Sequence, residues 1–184
     1  MKRSLFKKLA AAALAVSLSI AVTACGETKK DDSTKSNAAG SSSSSTKSNL
    51  EKAPDFTLED LEGNKVSLSD FKGKKVFLNF WSTFCESCTE ELGAIETLSK
   101  ELKDKDTVIL ALHYGQTKDT IKSFMDENSY TFKALLDTDM AVAGKYGVSV
   151  LPVSVFIDKD GNITAKKPMP LSIDDMKKSL DAIK

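Results

Sequence analysis

The chain has 184 residues, of which 26 are basic, 26 are acidic, 41% are hydrophobic and three are cysteines. The charge is balanced and no basic patch is present, so the composition gives no indication of nucleic-acid binding. The sequence also contains no internal repeat.

The first 24 residues have the pattern of an export signal. The opening segment MKRSLFKK carries four positive charges and no acid, and residues 9–24 are apolar and rich in small side chains. This apolar segment is shorter than the roughly 20 residues that a membrane-spanning helix needs. The pattern predicts a secretory signal peptide over residues 1–24. The alternative is an uncleaved membrane anchor.

Cys25 directly follows Val22, Thr23 and Ala24 at the end of the apolar segment. This arrangement resembles the lipobox of bacterial lipoproteins, which implies that Cys25 receives a diacylglycerol group and becomes the first residue. Two acyl chains matter because a single chain holds a protein at a membrane only marginally. Removal of residues 1–24 would leave 22 basic and 26 acidic side chains, a net charge of −4.

The segment after Cys25 has the composition of a linker. Residues 26–49 contain no aromatic and no large aliphatic side chain, so they cannot bury a core and are predicted to be disordered. A flexible chain of this length has a root-mean-square reach of about 27 Å. We therefore predict a lipidated tether over residues 25–49 and, by length, a single domain over residues 50–184.

Apolar and amphipathic segments alternate along this domain. They predict, in chain order, a hairpin around residues 62–64, a strand at 74–81, a helix at 88–103, a strand at 107–114, a helix at 118–128, a short strand at 134–137, a short helix at 139–147, a hairpin formed by 153–158 and 163–167, and a helix at 172–184 capped by Ser172.

This order predicts an α/β domain with a central mixed sheet flanked by helices. Its core order, β-α-β-α-β-β-α, resembles that of the thioredoxin fold. We therefore expect a thioredoxin-like fold with an N-terminal β-hairpin and an insertion in the middle connection, at residues 115–147.

Cys85 and Cys88 are separated by two residues and lie where the first long strand gives way to a helix. Free N–H groups and the helix dipole at such a position lower the pKa of a thiol, and the second sulfur is close enough to attack a mixed disulfide. A Cys-x-x-Cys beside a β-α-β pattern is typical of redox centres. A disulfide here would close almost no loop, so it would stabilise the fold only weakly.

Three alternatives to a redox centre stay open for the cysteine pair. A structural zinc site needs about four ligands, whereas the predicted domain has one histidine, His113, and no second cysteine pair. A c-type haem site needs a histidine directly after the second cysteine, where Thr89 stands. The third alternative is a buried structural pair.

Three stretches, APDFTLEDLEG, NFWSTFCESCTEEL and GVSVLPVSVFIDKDGNI, resemble the extracytoplasmic thiol–disulfide oxidoreductases of the TlpA/ResA type. The resemblance covers nearly all of residues 53–184. It implies that Cys85 is the attacking cysteine, Cys88 the resolving cysteine and Pro152 a cis-proline packed against the disulfide. It also implies that the backbone of Leu151 pairs with the backbone of a substrate.

The resemblance extends to a carboxyl group near the cysteines. Glu91 lies three residues after Cys88 and matches an acidic residue that the ResA type uses near its active site. On spacing alone, a solvated glutamate like Glu90 is the alternative. Asn79 stands where ordinary thioredoxins have a buried aspartate, and an amide cannot titrate.

The sequence also suggests roles for four further residues. Glu86 and Ser87 lie between the cysteines, Ser87 in place of the usual proline, and both are expected to contact the substrate. Trp81 is expected to form a wall of the site, with a core position as the alternative. His113 is expected to be a satisfied structural residue rather than a catalyst.

The resemblance implies a membrane-tethered enzyme on the extracytoplasmic face of the cell membrane. Relatives reduce disulfides in exported proteins, including apocytochromes c, and take electrons from a membrane thiol carrier. We expect a monomer that uses no metal and no cofactor beyond its redox-active disulfide. Two alternatives on the same fold are a copper metallochaperone, which usually has three residues between its cysteines, and a thiol peroxidase, which has a proline upstream of its cysteine.

Overall fold

A computed structural model describes residues 50–103 and 105–184. The predicted signal peptide, the predicted lipidation of Cys25 and the predicted tether over residues 25–49 all lie outside the described residues. Within those residues, no helix combines the length and the apolar character needed to cross a membrane.

A seven-stranded mixed sheet forms the centre of the domain, in the spatial order β2-β1-β5-β4-β3-β6-β7. Neighbours among β3, β4 and β5 are parallel, and all other neighbouring pairs are antiparallel. The strands are β1 Thr57–Asp60, β2 Lys65–Ser67, β3 Lys75–Trp81, β4 Thr107–Tyr114, β5 Lys133–Asp137, β6 Val153–Ile157 and β7 Ile163–Lys167.

Four α-helices accompany the sheet, and a short 3₁₀ helix, Leu68–Phe71, follows β2. The α-helices are α1 Glu86–Glu101, α2 Lys118–Glu127, α3 Ala141–Lys145 and α4 Ile173–Asp181. Buried residues of α1, α2 and α4 share one apolar cluster, and those of α3 belong to a second cluster with the N-terminal segment. The predicted sheet flanked by helices is therefore confirmed.

The alternation of side chains along β3 explains why the fold has two cores. Phe77 and Trp81 point into the cluster of α1, whereas Leu78 and Phe80 point into the cluster of α3. Because successive side chains of a strand face opposite sides, a strand buried on both sides has a nearly continuous apolar sequence. The predicted strand at 74–81 is confirmed within one residue.

The insertion contributes a strand to the interior of the sheet, and the sequence does not predict that position. Its strand β5 pairs in parallel with β4 and antiparallel with β1, so the N-terminal hairpin joins the sheet through β5. At the other end of the chain, the Ser172 hydroxyl accepts a hydrogen bond from the backbone of Asp175, which confirms the predicted cap of α4.

The loop that leads from β3 to Cys85 lies at one edge of the sheet, together with several other loops. The C-terminal ends of β3, β4 and β5 lie there because these strands are parallel. The start of β6 and the end of β7 lie there too, since β6 is antiparallel to β3 and β7 to β6. We call this the C-terminal edge.

Candidate active site

The first cysteine caps helix α1. Cys85 has extended backbone angles, and its Sγ accepts a hydrogen bond from the backbone N–H of Cys88 at 3.2 Å. This cap lets α1 begin at Glu86, two residues before the predicted start. A sulfur at this position lies beside unpaired N–H groups and the positive end of the helix dipole, and both favour a thiolate.

The two cysteines form a disulfide, with their Cα atoms 5.2 Å apart. Cys85 is half-buried, whereas the side chain of Cys88 is 0% exposed. A protein substrate can therefore reach the sulfur of Cys85 and not that of Cys88. This difference matches the predicted roles of attacking and resolving cysteine, which remain predictions.

The two residues between the cysteines face the surface. Glu86 is exposed and Ser87 is half-buried, and the hydroxyl oxygen of Ser87 lies 3.5 Å from the sulfur of Cys85. Both side chains are thus open to a partner of Cys85, as their predicted contact with substrate requires.

The peptide bond between Leu151 and Pro152 is cis, as the resemblance implied. It directly precedes β6, whose Val153 pairs with Phe80 of β3. Leu151 is half-buried and packs against the same apolar cluster as Cys85. The contact of Pro152 with the disulfide and the pairing of Leu151 with substrate remain predictions.

Glu91 is buried, with 4% of its surface exposed, so the alternative of a solvated glutamate is wrong. The Asn79 amide donates a hydrogen bond to Oε1 at 2.6 Å, and the Leu171 backbone N–H donates one to Oε2 at 2.8 Å. Burial raises the pKa of Glu91 above its usual value, and these two hydrogen bonds oppose the rise. Glu91 lies one helical turn after Cys88, so the two side chains are neighbours on α1. Its role in proton exchange with that sulfur remains a prediction.

We expect Glu91→Gln to move the pH dependence of Cys88 alkylation to lower pH. An ionised carboxylate disfavours a neighbouring thiolate, and glutamine removes that charge. The measurement is the rate of Cys88 alkylation against pH in a Cys85→Ser background, with circular dichroism to follow the fold. The matched control is Glu90→Gln, because Glu90 is exposed and its charge is screened. An unchanged profile in Glu91→Gln would show that this carboxyl group does not affect the cysteine.

The predicted position of Trp81 as a wall of the site is corrected. Its side chain is 0% exposed, and its ring packs against His113, Phe124 and Phe132 at centroid distances of 4.7, 5.6 and 6.4 Å. Trp81 faces the core because it shares one side of β3 with Phe77, so it offers no surface to a protein substrate in this state.

His113 is buried but not satisfied. Neither ring nitrogen has a hydrogen-bond partner among the described residues. Burial lowers the pKa of His113 to about 4, which the nearby Gln116 side chain partly opposes. Burial thus favours the neutral form of His113.

Sequence reasoning missed three exposed apolar side chains in the loops at the C-terminal edge. Phe84 is 83% exposed, Val150 54% and Met169 55%. Phe84 follows β3, Val150 precedes β6 and Met169 follows β7. These three strands are consecutive in the sheet. Strand spacing of about 4.8 Å places the ends of these three strands within roughly 10 Å along the C-terminal edge. We call these residues the apolar strip.

No described group of three or more His, Cys, Asp or Glu side chains is arranged to hold a metal ion. The site thus consists of a helix-capping disulfide, a cis-proline loop and a buried carboxyl group. The chain belongs to the AhpC/TSA family, whose sequence profile matches residues 50–166.

More particularly, the chain is similar to ResA thiol-disulfide oxidoreductases. It is 41% identical to ResA of Bacillus thuringiensis strain Al Hakam over 111 residues, which are 60% of this chain and 64% of the relative. It is 36% identical to ResA of Geobacillus thermodenitrificans strain NG80-2 over 132 residues, which are 72% of this chain and 76% of the relative. The chain thus spans just under two thirds of the Bacillus protein.

A solved structure supports the same relationship. The pneumococcal exposed lipoprotein thioredoxin Etrx1 from Streptococcus pneumoniae strain TIGR4 superposes with a TM-score of 0.65 at 29% identity, covering 71% of this chain and all of that chain. The predicted resemblance to the ResA type and the predicted thioredoxin-like fold are confirmed.

Proposed function

We propose that this protein is a thiol–disulfide oxidoreductase that reduces disulfides in exported proteins. The observation that carries the proposal is the disulfide between a half-buried Cys85 at the start of a helix and a fully buried Cys88. The similarity to proteins named thiol-disulfide oxidoreductase supports it.

The reaction follows from the positions of the two sulfurs. In the reduced protein, the Cys85 thiolate attacks a substrate disulfide, and one substrate sulfur leaves as a thiolate and takes up a proton. Cys88 then loses its proton and attacks Cys85 Sγ in the mixed disulfide, which releases the second substrate thiolate. Two electrons pass to the substrate, and the Cys85–Cys88 disulfide forms. Glu91 is the nearby group that accepts the proton of Cys88.

The apolar strip indicates the kind of substrate. Phe84 directly precedes Cys85, and Val150 lies two residues before Pro152, so a bound polypeptide would contact both side chains. Apolar surface of this kind favours segments whose own apolar side chains are exposed, as in proteins that have not yet folded. Exported proteins with unwanted disulfides, apocytochrome c among them, are such substrates.

The protein needs a source of electrons and a place of action. A membrane thiol carrier would return the Cys85–Cys88 pair to the dithiol state, and a lipid on Cys25 would hold the domain at the extracytoplasmic face of the membrane. The similarity to an exposed lipoprotein thioredoxin supports this arrangement. Two acyl chains would anchor the chain stably.

An insulin-reduction assay tests the proposed activity. We expect the dithiol form to reduce insulin in the presence of a thiol donor. Absence of reduction together with stoichiometric Cu(I) binding at the thiols would favour a copper metallochaperone instead. Consumption of peroxide without insulin reduction would favour a thiol peroxidase.

Cys25→Ala is expected to prevent lipid attachment and to release the domain from the membrane or leave an unprocessed precursor. The reason is that an alanine offers no sulfur for the thioether bond to diacylglycerol. The measurement is incorporation of labelled fatty acid, followed by membrane fractionation. Thr23→Ser is the matched control, because it keeps both the small side chain and Cys25. A wild-type chain that takes up no label would refute the predicted lipid anchor.

A further inference from the structure

Four groups from four parts of the chain meet in a buried polar cluster that includes Glu91, one helical turn after Cys88. Asn79 of β3 donates from Nδ2 to Glu91 Oε1 of α1 at 2.6 Å and to Ser154 Oγ of β6 at 3.2 Å. The backbone N–H of Leu171, just before α4, donates to Glu91 Oε2 at 2.8 Å. Asn79 and Ser154 are 0% exposed, so water does not compete for these hydrogen bonds.

The Asn79 side chain joins the two elements that build the site. Glu91 lies one turn after Cys88 on α1, and Ser154 lies two residues after Pro152 on β6. Asn79 is directly opposite Ser154 in the antiparallel pair of β3 and β6. A single amide therefore fixes the carboxyl group relative to both the cysteine helix and the proline loop.

The other end of this amide has no partner among the described residues. Asn79 Oδ1 is buried and accepts no hydrogen bond, although buried polar atoms are usually paired. If the amide turned by 180°, Oδ1 would take the place of Nδ2. It would then accept from the O–H of a protonated Glu91 and from the hydroxyl of Ser154, which can donate as well as accept. Asn79 can thus bind Glu91 in either protonation state.

We propose that Asn79 is a positioning residue for proton transfer at the cysteine pair, which holds Glu91 in both protonation states and favours its ionised state. This inference rests on the proposed function and assigns Asn79 no contact with substrate. The preference for the ionised state arises because a hydrogen bond to a carboxylate is roughly twice as strong as one between neutral groups.

The expected change in the pKa of Glu91 follows from this difference in hydrogen-bond strength. Loss of the amide should raise the pKa of Glu91 by about one unit, in the same direction as burial. The groups that bind Glu91 from β3 and from the segment before α4 are the Asn79 amide and the Leu171 N–H. The Ser154 hydroxyl of β6 binds the same amide, and none of these groups is charged. Cys88 is the titratable neighbour on its own helix, and it does not titrate in the oxidised protein.

The first test is a carbon NMR titration of the Glu91 carboxyl group in the oxidised full chain, with its signal assigned through Glu91→Gln. Asn79→Leu should raise the midpoint by about one unit. The Glu96 carboxyl group, also on α1 but bonded to Thr131 and Phe132, should keep its midpoint. A midpoint of Glu91 that stays the same or falls would overturn the proposal.

The second test separates a positioning role from a structural one. In the Cys85→Ser background, Asn79→Leu should change the pH profile of Cys88 alkylation, and it should leave the profile unchanged when Glu91→Gln is already present. An equal change in both backgrounds would show that Asn79 acts only through packing and would overturn the proposal.

A third measurement needs no variant at position 79 and so does not depend on the folding of Asn79→Leu. In the wild-type chain, the side-chain N–H signals of Asn79 should shift with the same midpoint as the Glu91 carboxyl group. Asn79 signals whose chemical shifts do not change as Glu91 titrates would overturn the proposal. All NMR readouts are independent of turnover: a chain that shows these shifts but reduces no insulin would refute the proposed function alone, and the converse result would refute the role of Asn79 alone.

Discussion

Replacing Cys85 by serine is expected to reduce insulin reduction to the rate seen without enzyme. Cys85 is the sulfur that a substrate can reach, since Cys88 is 0% exposed, and a serine hydroxyl does not attack a disulfide. The backbone N–H of Cys88 points at this sulfur at 3.2 Å, so the variant also loses the group that the helix start activates.

Cys88→Ser is expected to lose turnover as well, for a different reason. Its Cys85 still attacks, but no second sulfur resolves the mixed disulfide, so the reaction stops after one substrate. The matched control is Cys25→Ser, the same substitution at the remaining cysteine, which should keep full insulin reduction in the purified chain. A Cys85→Ser variant that still reduces insulin would refute the assignment of the attacking sulfur.

The second large effect concerns the direction of electron transfer. The Cys85–Cys88 pair is expected to have a reduction potential near that of thioredoxin, about −270 mV. A strong oxidant of this fold has a reduced form that is stabilised by a very low thiolate pKa. Here negative charge opposes the helix dipole, because Glu86 lies between the cysteines and Glu91 lies one turn after Cys88. Glu86 is exposed and therefore screened, so the buried Glu91 is expected to dominate.

The potential is measured by equilibrating the protein with glutathione buffers and quantifying free thiols. Each 30 mV corresponds to about 1.4 kcal/mol for this two-electron couple. Glu91→Gln should make the pair more oxidising, because it removes the charge that disfavours the thiolates, and Glu90→Gln should change little. A wild-type potential near that of the strong oxidant DsbA, about −120 mV, would contradict a reducing role.

Local patterns were sufficient for most elements of the fold. The apolar run before Trp81, interrupted only by Asn79, predicts a strand buried on both faces. The spacing of Leu92, Ile95 and Leu98 predicts the buried face of α1, and all three are at most 1% exposed. The position of β5 between β1 and β4 could not be predicted in this way, because strand pairing depends on contacts between distant segments.

The apolar periodicity of α1 also predicts that Glu91 is buried, which its spacing from Cys88 alone does not indicate. Glu91 precedes Ile95 by four residues and Leu98 by seven, so it shares their helical face and must be buried with them. Asn79 likewise shares the inward side of β3 with Phe77 and Trp81. Applied to these polar residues, periodicity predicts that both are buried, and it also predicts the core position of Trp81.

Exposure in the loops had no comparable signal. Phe84, Val150 and Met169 lie outside regular elements, so no periodicity indicates which way their side chains point. Their proximity follows only from the order β3-β6-β7 in the sheet. The lack of hydrogen-bond partners for His113 within residues 50–103 and 105–184 is likewise a property of the packed core and not of the sequence around it.

The most direct test of the central claim is to trap the substrate on the protein in cells. The full chain with Cys88→Ser should accumulate mixed disulfides with exported proteins, which reducing agent releases and mass spectrometry maps to Cys85. Cys85→Ser, purified in parallel, should carry none. If Cys88→Ser carries no mixed disulfide at Cys85, or if the adducts appear at Cys88 of the Cys85→Ser variant instead, the account of a Cys85 thiolate that attacks exported disulfides is wrong.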